Sequence, residues 1–267
     1  MQDISIKEVA PHIFQRPLLY VNPSDSVLQA ATFLATGPQI YVDGLVMIEE
    51  NKKKLVGRIG GYALVSHILK TRERWLDGEV SEIMEALERP LQENDPLGKA
   101  LQVFRETKFA FMPVASNDRI VASLSLRDLI DHAKGLKVEV QKLASPLLTI
   151  DKDASVLDAL SFMVEKGVRN LVFLEQDIHP YVINDRKFLA YLLRSQTREL
   201  VLRRGFEVLA TMKLSGLGAI KGIRVDPKGA AGSMAHFFSD IGTSCLFADG
   251  MILTPWDLVI KGLGLTG

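Results

Sequence analysis

A single cysteine, Cys245, in 267 residues leaves the chain no disulfide of its own and no cysteine-rich zinc site. In the run Thr243-Ser244-Cys245-Leu246-Phe247 it reads as a small apolar residue in a buried strand. There is no excess of charge: 32 Lys and Arg stand against 32 Asp and Glu. Nothing in that balance draws a polyanion, so nucleic acid is not an expected partner. No apolar run approaches the roughly 18 residues of a membrane span. The start, Met1-Gln2-Asp3-Ile4-Ser5, lacks the basic and apolar regions of a secretory signal. These absences predict a cytoplasmic protein with no membrane contact. His12, His67, His132, His179 and His236 are scattered without metal-ligand spacing. Gly-x-Ser-x-Gly, Walker-type and His-Glu-x-x-His motifs are missing too, so neither enzyme activity nor a cofactor is expected.

What the chain does contain is repetition. Tyr20-Val21-Asn22-Pro23 is followed by Val27, Ala30, Ala31 and Leu34, whose spacing predicts an amphipathic helix. Leu45 to Ile48 and Leu55 to Ile59 then read as two strands, and Tyr62 to Lys70 as a closing helix. The same order returns with Leu97, Ala100, Leu101 and Phe104, the strands Phe111 to Val114 and Ile120 to Leu124, and Arg127 to Ala133. A third unit has Val156, Ala159, Leu160 and Met163 behind a Ser155/Asp158 capping box. Its strands are Asn170 to Leu174 and Tyr181 to Ile183, and Phe188 to Arg194 closes it. The fourth carries Met234, Phe237 and Phe238, strands near Ser244 to Phe247 and Gly250 to Leu253, and a last helix from Pro255. The predicted fold class is α/β, four β-α-β-β-α units of about 60 residues each, with helical lead-ins at Thr71 to Glu82 and Ser195 to Thr211. Each unit is too small to close a core alone, so the units should pair. A break near Ala133-Lys134-Gly135-Leu136-Lys137 divides them into a first pair, 1–136 (repeats about 1–70 and 71–136), and a second, 137–267 (repeats about 137–195 and 196–267).

These units resemble the CBS domain family. Gly167-Val168-Arg169-Asn170-Leu171-Val172 resembles the start of the family's first hairpin strand, and Phe111-Met112-Pro113-Val114 keeps its central Pro-Val. Ser125-Leu126-Arg127-Asp128 and Thr254-Pro255-Trp256-Asp257 resemble its closing Thr-x-x-Asp segment. The resemblance implies repeats packed as two pairs, known as Bateman modules, in a disc like that of the γ subunit of AMP-activated protein kinase. It also implies clefts that bind AMP, ADP, ATP or another adenosyl ligand such as S-adenosylmethionine. A regulated protein partner and a homodimer are the further associations it allows.

The Ser/Thr-x-x-Asp segments have two readings. Ser125 with Asp128, and Thr254 with Asp257, fit a capping box, and Pro255 suits the first helical turn. The same helix start could face a phosphate while the Asp accepts ribose hydroxyls. Repeat one has Gly60-Gly61-Tyr62-Ala63 and repeat three has Lys187 where the Asp would stand, so at most two clefts should hold ribose in this way. By the resemblance, Thr254 and Asp257 work with Ala154, Val168 and Arg169, and Ser125 and Asp128 work with Val42 and Asp43. Arg169 is the expected phosphate ligand, and Asp43 would repel phosphate, which ranks the Asp257 cleft first. His67 and His132 hold equivalent places and could approach each other. The competing function is a protein-interaction scaffold with vestigial clefts.

Overall fold

The computed structural model describes residues 3–36, 43–49, 54–87, 89–175 and 179–265. Val27–Thr36 is a helix that buries Val27, Ala30, Ala31 and Leu34, the four residues whose spacing marks its inner face. Leu97–Thr107 and Val156–Lys166 bury the corresponding four residues of their own repeats. At the start of the latter, Asp158 donates its N–H to Ser155 Oγ (3.0 Å), and Ser155 donates its N–H to Asp158 Oδ2 (3.2 Å). This helix ends at Gly167, whose φ of +63° is the left-handed conformation that glycine adopts without cost.

The fourth repeat departs from expectation. Ala231–Ser239 is a 3-10 helix, and its buried residues include Gly232, Ala235 and Phe238, while Met234 and Phe237 are only partly buried. Its first turn makes a close approach to another part of the chain. A Cβ on Gly232 would lie 2.4 Å from the Lys134 carbonyl oxygen, so this turn sits directly on the connector between the halves of the chain. The closing helix of repeat two, Leu126–Ala133, is also 3-10, and that of repeat three starts earlier than expected, at Asp185–Leu192.

Each repeat is built on an antiparallel hairpin: Gly44–Glu49 with Lys54–Gly60, Phe111–Ser116 with Arg119–Ser125, Asn170–Glu175 with His179–Asn184, and Leu246–Ala248 with Met251–Leu253. In the second hairpin Asn117 and Asp118 both take positive φ (49° and 62°), as a tight two-residue turn requires. A short parallel strand flanks three of these hairpins: Tyr20–Val21, Leu91–Gln92 and Ile223–Arg224. The opposite edges are covered by segments outside the hairpins. Glu85–Ala86 joins repeat one and Ile220–Lys221 joins repeat three. Ser145–Pro146, near the start of repeat three, pairs instead with Met251–Leu253 of repeat four. In the same way the first residues pack on repeat two, where Ile6 donates its N–H to Asp95 O and Leu97 donates to Ile4 O.

Two large apolar cores result. One runs from Val21 to Ile83 and from Val156 to Leu217, uniting repeats one and three through their helices. The other unites repeats two and four, from Ile6 to Leu143 and from Ala231 to Leu263. Val172, Val182, Cys245 and Phe247 form a smaller cluster between the sheets of repeats three and four. Cys245 is buried beside its strand, and burial pushes its thiol up to about 12, so it is chemically quiet.

Candidate ligand-binding clefts

The closing segment of every repeat follows the second hairpin strand, so each helix start is aimed by the sheet behind it. In repeat two, Ser125 ends that strand and donates its N–H to Asp128 Oδ2 at 2.7 Å. The Ser125 hydroxyl is buried over the Asp128 N–H in the capping-box position, and it donates to no acceptor among the described residues. Asp128 is almost fully enclosed and is gripped from the N-terminal lead-in. Arg16 donates from Nη1 to Oδ1 (2.8 Å) and from Nη2 to Oδ2 (2.7 Å), and His12 Nε2 lies 3.1 Å from Oδ1. Burial works to raise this carboxyl, but the bonds from His12 and Arg16, the Arg16 charge and the Ser125 N–H together hold it below the usual carboxylate range. A cleft opens beside this group, lined by Ile13, Arg16, Pro17, Leu18, Leu19, Asp43, Gly44, Ala122, Ser123 and Ser125. Ser125 and Asp43 thus meet in one cleft, as the resemblance implied. Val42 lies outside the described residues.

In repeat four the reciprocal cap forms. Thr254 donates from its N–H (2.8 Å) and its hydroxyl (2.7 Å) to Asp257 Oδ2, and the Asp257 N–H reaches Thr254 Oγ1 at 3.4 Å. Asp257 Oδ1 accepts from Ser145 Oγ (2.9 Å) and pairs with Lys261 Nζ (2.6 Å). Lys261 also donates to the Leu143 carbonyl (2.8 Å) and to Ser145 Oγ (2.9 Å). Both Asp257 oxygens are therefore held by the chain itself.

Arg169 meets neither Thr254 nor Asp257 through a hydrogen bond or ion pair among the described residues. Its Nε donates to Asp185 Oδ2 at 2.6 Å, and Asp185 with Asp43 outweighs burial to hold the guanidinium above its ordinary value. Val168 packs on the first core, and its N–H is spent on Met163 O (3.0 Å). The Ala154 carbonyl accepts from the Leu214 N–H at 3.0 Å. Asp43, expected to repel phosphate, accepts from Arg186 Nη2 at 3.2 Å, so its charge is already answered. Burial lowers Arg186, partly offset by Asp43 and Asp185, and nearby Arg169 and Arg127 add to the fall. Arg127 crosses to repeat four and donates to the carbonyls of Phe238 (3.1 Å) and Thr243 (2.6 Å). His67 and His132 do not pair with one another: His67 bonds the Trp75 carbonyl and His132 the Val9 carbonyl.

In repeat one, Arg58 lies on the second hairpin strand, Lys54–Gly60, just ahead of the closing helix. It is buried over the Phe109 ring and donates from Nη1 to Phe111 O at 3.2 Å. Three closing segments thus have a cation from the same chain beside them: Arg16, Arg169 and Lys261. Sequence reasoning reached only Arg169 of these. Lys261 carried a local signal, four residues after Asp257 on one helix face. Arg16 carried none, since 112 residues separate it from Asp128.

The CBS domain family model matches residues 80–135 and 139–194, which cover the second and third repeats. Those two segments of the chain are CBS domains. Repeats one and four, outside that match, have the same hairpin and closing segment. Protein MJ1225 of Methanocaldococcus jannaschii, described as a candidate archaeal homologue of g-AMPK, has the same fold over 97% of this chain and 99% of its own, with a TM-score of 0.82 at 15% identity. An uncharacterised conserved protein of Pyrococcus horikoshii aligns over 91% of this chain and 95% of its own, with a TM-score of 0.56 at 15% identity. The uncharacterised protein MJ1232 of M. jannaschii is 28% identical over 85 residues, 32% of this chain. That match spans 29% of MJ1232, under a third of its length. No helix among the described residues is long and apolar enough to cross a membrane.

Proposed function

We propose that this CBS-domain protein is a regulatory sensor that binds an adenine nucleotide in the cleft between repeats one and two. The observation that carries the reading is the Ser125 hydroxyl, buried beside the cleft with no acceptor for its proton among the described residues. A buried, unanswered hydroxyl is costly, and a ligand oxygen supplies what it lacks. Asp128 beside it stays ionised, as an acceptor of ribose hydroxyls should. The sequence ranking placed the Asp257 cleft first because of Arg169 and Asp43. Both reasons weaken once Arg169 is paired with Asp185 and Asp43 with Arg186. The ligand regulates by binding one arrangement of the repeats more tightly than another.

Calorimetry with AMP, ADP, ATP, NAD and S-adenosylmethionine on the full chain tests this. At least one adenine nucleotide should bind, and Asp128→Asn should weaken it by about one to two decades, the loss of a charge-assisted bond of roughly 1.5–3 kcal/mol. No binding by any member of the panel to folded protein would refute the reading. One observation favours a scaffold instead: the Asp257 carboxylate is saturated by Thr254, Ser145 and Lys261, which leaves that cleft self-occupied.

A further inference from the structure

The sensor reading leaves open what kind of adenosyl ligand the cleft accepts, and the lead-in supplies the deciding group. Arg16 holds both oxygens of Asp128 with a two-pronged fork at 2.8 and 2.7 Å. A ribose presents its vicinal hydroxyls as the same kind of fork, two donors for two carboxylate oxygens. The Asp128 side chain is 1% exposed, and Ser125 N–H already occupies one flank of Oδ2, so there is no room for both forks. Diol and guanidinium therefore compete for one place.

Resting on the reading of this cleft as a nucleotide site, we propose that Arg16 is its specificity residue. The ribose displaces the guanidinium from Asp128, and the displaced guanidinium then requires an anion from the ligand itself. Arg16 is well placed to turn. It lines the cleft, its side chain is 23% exposed, and Nη2 is tethered to the Ser123 carbonyl at 2.6 Å, a bond that keeps the head group beside the ligand. The other carboxylate lining the cleft, Asp43, already faces two guanidiniums, bonded to Arg186 at 3.2 Å and acting on the charge of Arg169, so a third gains little from it. A phosphate oxygen pair matches a guanidinium fork, whereas a neutral nucleoside leaves it stranded and a sulfonium repels it. The cleft accordingly selects a phosphorylated nucleoside over the bare nucleoside and over S-adenosylmethionine.

Two measurements test this on the full chain. The first is calorimetry of AMP, adenosine and S-adenosylmethionine with wild type and Arg16→Gln, with melting temperatures in parallel. In the wild type AMP should bind at least tenfold more tightly than either competitor. In Arg16→Gln AMP should weaken by tenfold or more while adenosine holds or tightens, because its diol no longer has to displace a charged group. A gap of unchanged size in the variant, or a wild type that binds adenosine as tightly as AMP, overturns the proposal and leaves the nucleotide site intact. A wild type that binds none of the three overturns the proposal, and overturns the nucleotide reading as well when ADP, ATP and NAD also fail to bind. The second measurement needs no variant and stays decisive should Arg16→Gln fail to fold. The gain from the phosphate is measured with the diol present (AMP against adenosine) and absent (2′,3′-dideoxy-AMP against 2′,3′-dideoxyadenosine). Arg16 stays on Asp128 when the diol is missing, so the phosphate gain should fall from tenfold or more to less than threefold. Equal gains in the two pairs overturn the proposal.

Discussion

Arg58 lies on the strand Lys54–Gly60 with 1% of its surface exposed, and its Nε has no hydrogen-bond partner among the described residues. Burial lowers this guanidinium to about 10, with only partial relief from Glu85, whose carboxylate stands 3.7 Å away. Burial pushes Glu85 up in turn. A buried pair with such loose geometry does not recover its desolvation cost. Arg58→Met, similar in length and apolar, should therefore leave stability within about 1 kcal/mol of wild type or raise it, whereas Arg58→Ala should lose about 2–4 kcal/mol to the cavity left under Phe109. Urea unfolding checks both, and a large loss in the Met variant would show that the pair is net stabilising. Asp128 behaves in the opposite sense. Its carboxyl is lower in the folded chain than the unfolded value near 3.9, so its stabilisation is complete above about pH 4 and drains away as pH falls through the folded value. Melting temperature measured from pH 6 to pH 2 should fall less steeply in Asp128→Asn than in wild type. At Asp257, removing the charge abandons Lys261, which is 40% exposed and can turn to solvent, so Asp257→Asn should cost only about 1–2 kcal/mol. A loss of nucleotide affinity in that variant at unchanged stability would instead mean that this carboxylate serves a ligand.

Among the glycines that let elements approach closely, Gly44 and Gly232 differ in what faces them. A Cβ on Gly44, at the start of the first hairpin, would fall 1.9 Å from the Phe111 ring of repeat two. One on Gly232 would meet the backbone of the connector, the Lys134 and Ala133 carbonyls and the Leu136 nitrogen, all within 2.8 Å. A ring can shift by rotating, but a hydrogen-bonded backbone cannot, and here the Gly232 N–H itself donates to Leu136 O at 3.0 Å. Gly232→Ala should therefore destabilise more than Gly44→Ala, with the latter in the range of about 1–3 kcal/mol typical of overpacking. Thermal denaturation of the two variants gives the order directly. The same contacts bear on the connector as a cleavage site. Ala231 and Gly232 donate to the carbonyls of Val138 and Leu136, so those two connector residues are pinned even though Lys134 and Gly135 are exposed.

At the scale of the molecule, we propose that 1–136 and 137–267 are the two repeat pairs, each with its sheets facing inward. Gly44 against Phe111, and the cluster of Val172, Val182, Cys245 and Phe247, support such pairing. The two principal cores nevertheless cross that division, since one joins repeat one to three and the other joins two to four. Cutting the chain at 136 would expose half of each core to water, an apolar area well beyond what a monomer tolerates. Residues 1–136 and 137–267 expressed separately should therefore be poorly folded or self-associated, and mixing them should restore a 1:1 complex. Size-exclusion chromatography and circular dichroism of each half and of the mixture check this. Two independently folded monomeric halves would contradict it.

The sequence by itself determined the elements, because their signals are local. A spacing of three and four residues marked the faces of Val27–Thr36, Leu97–Thr107 and Val156–Lys166, and Ser155 with Asp158 marked a helix start within one turn. Asn117-Asp118 marked a hairpin turn because those residue types tolerate positive φ. The order of hairpins and helices made the CBS family legible as well. The fourth repeat was less so, since its helix is 3-10 and packs against the distant connector, with Ala231, Gly232, Ala235 and Phe238 buried. Only the tertiary structure decided which cation meets which carboxylate. Arg169 pairs with Asp185, Arg186 with Asp43, and Arg16 with Asp128 across 112 residues. A buried charge takes whichever counter-charge packing brings within reach, and nothing in the local chain encodes that distance. For the same reason Ser145–Pro146 completes the sheet of repeat four rather than that of repeat three, near whose start it lies. An open strand edge pairs with whatever backbone the surrounding core delivers to it.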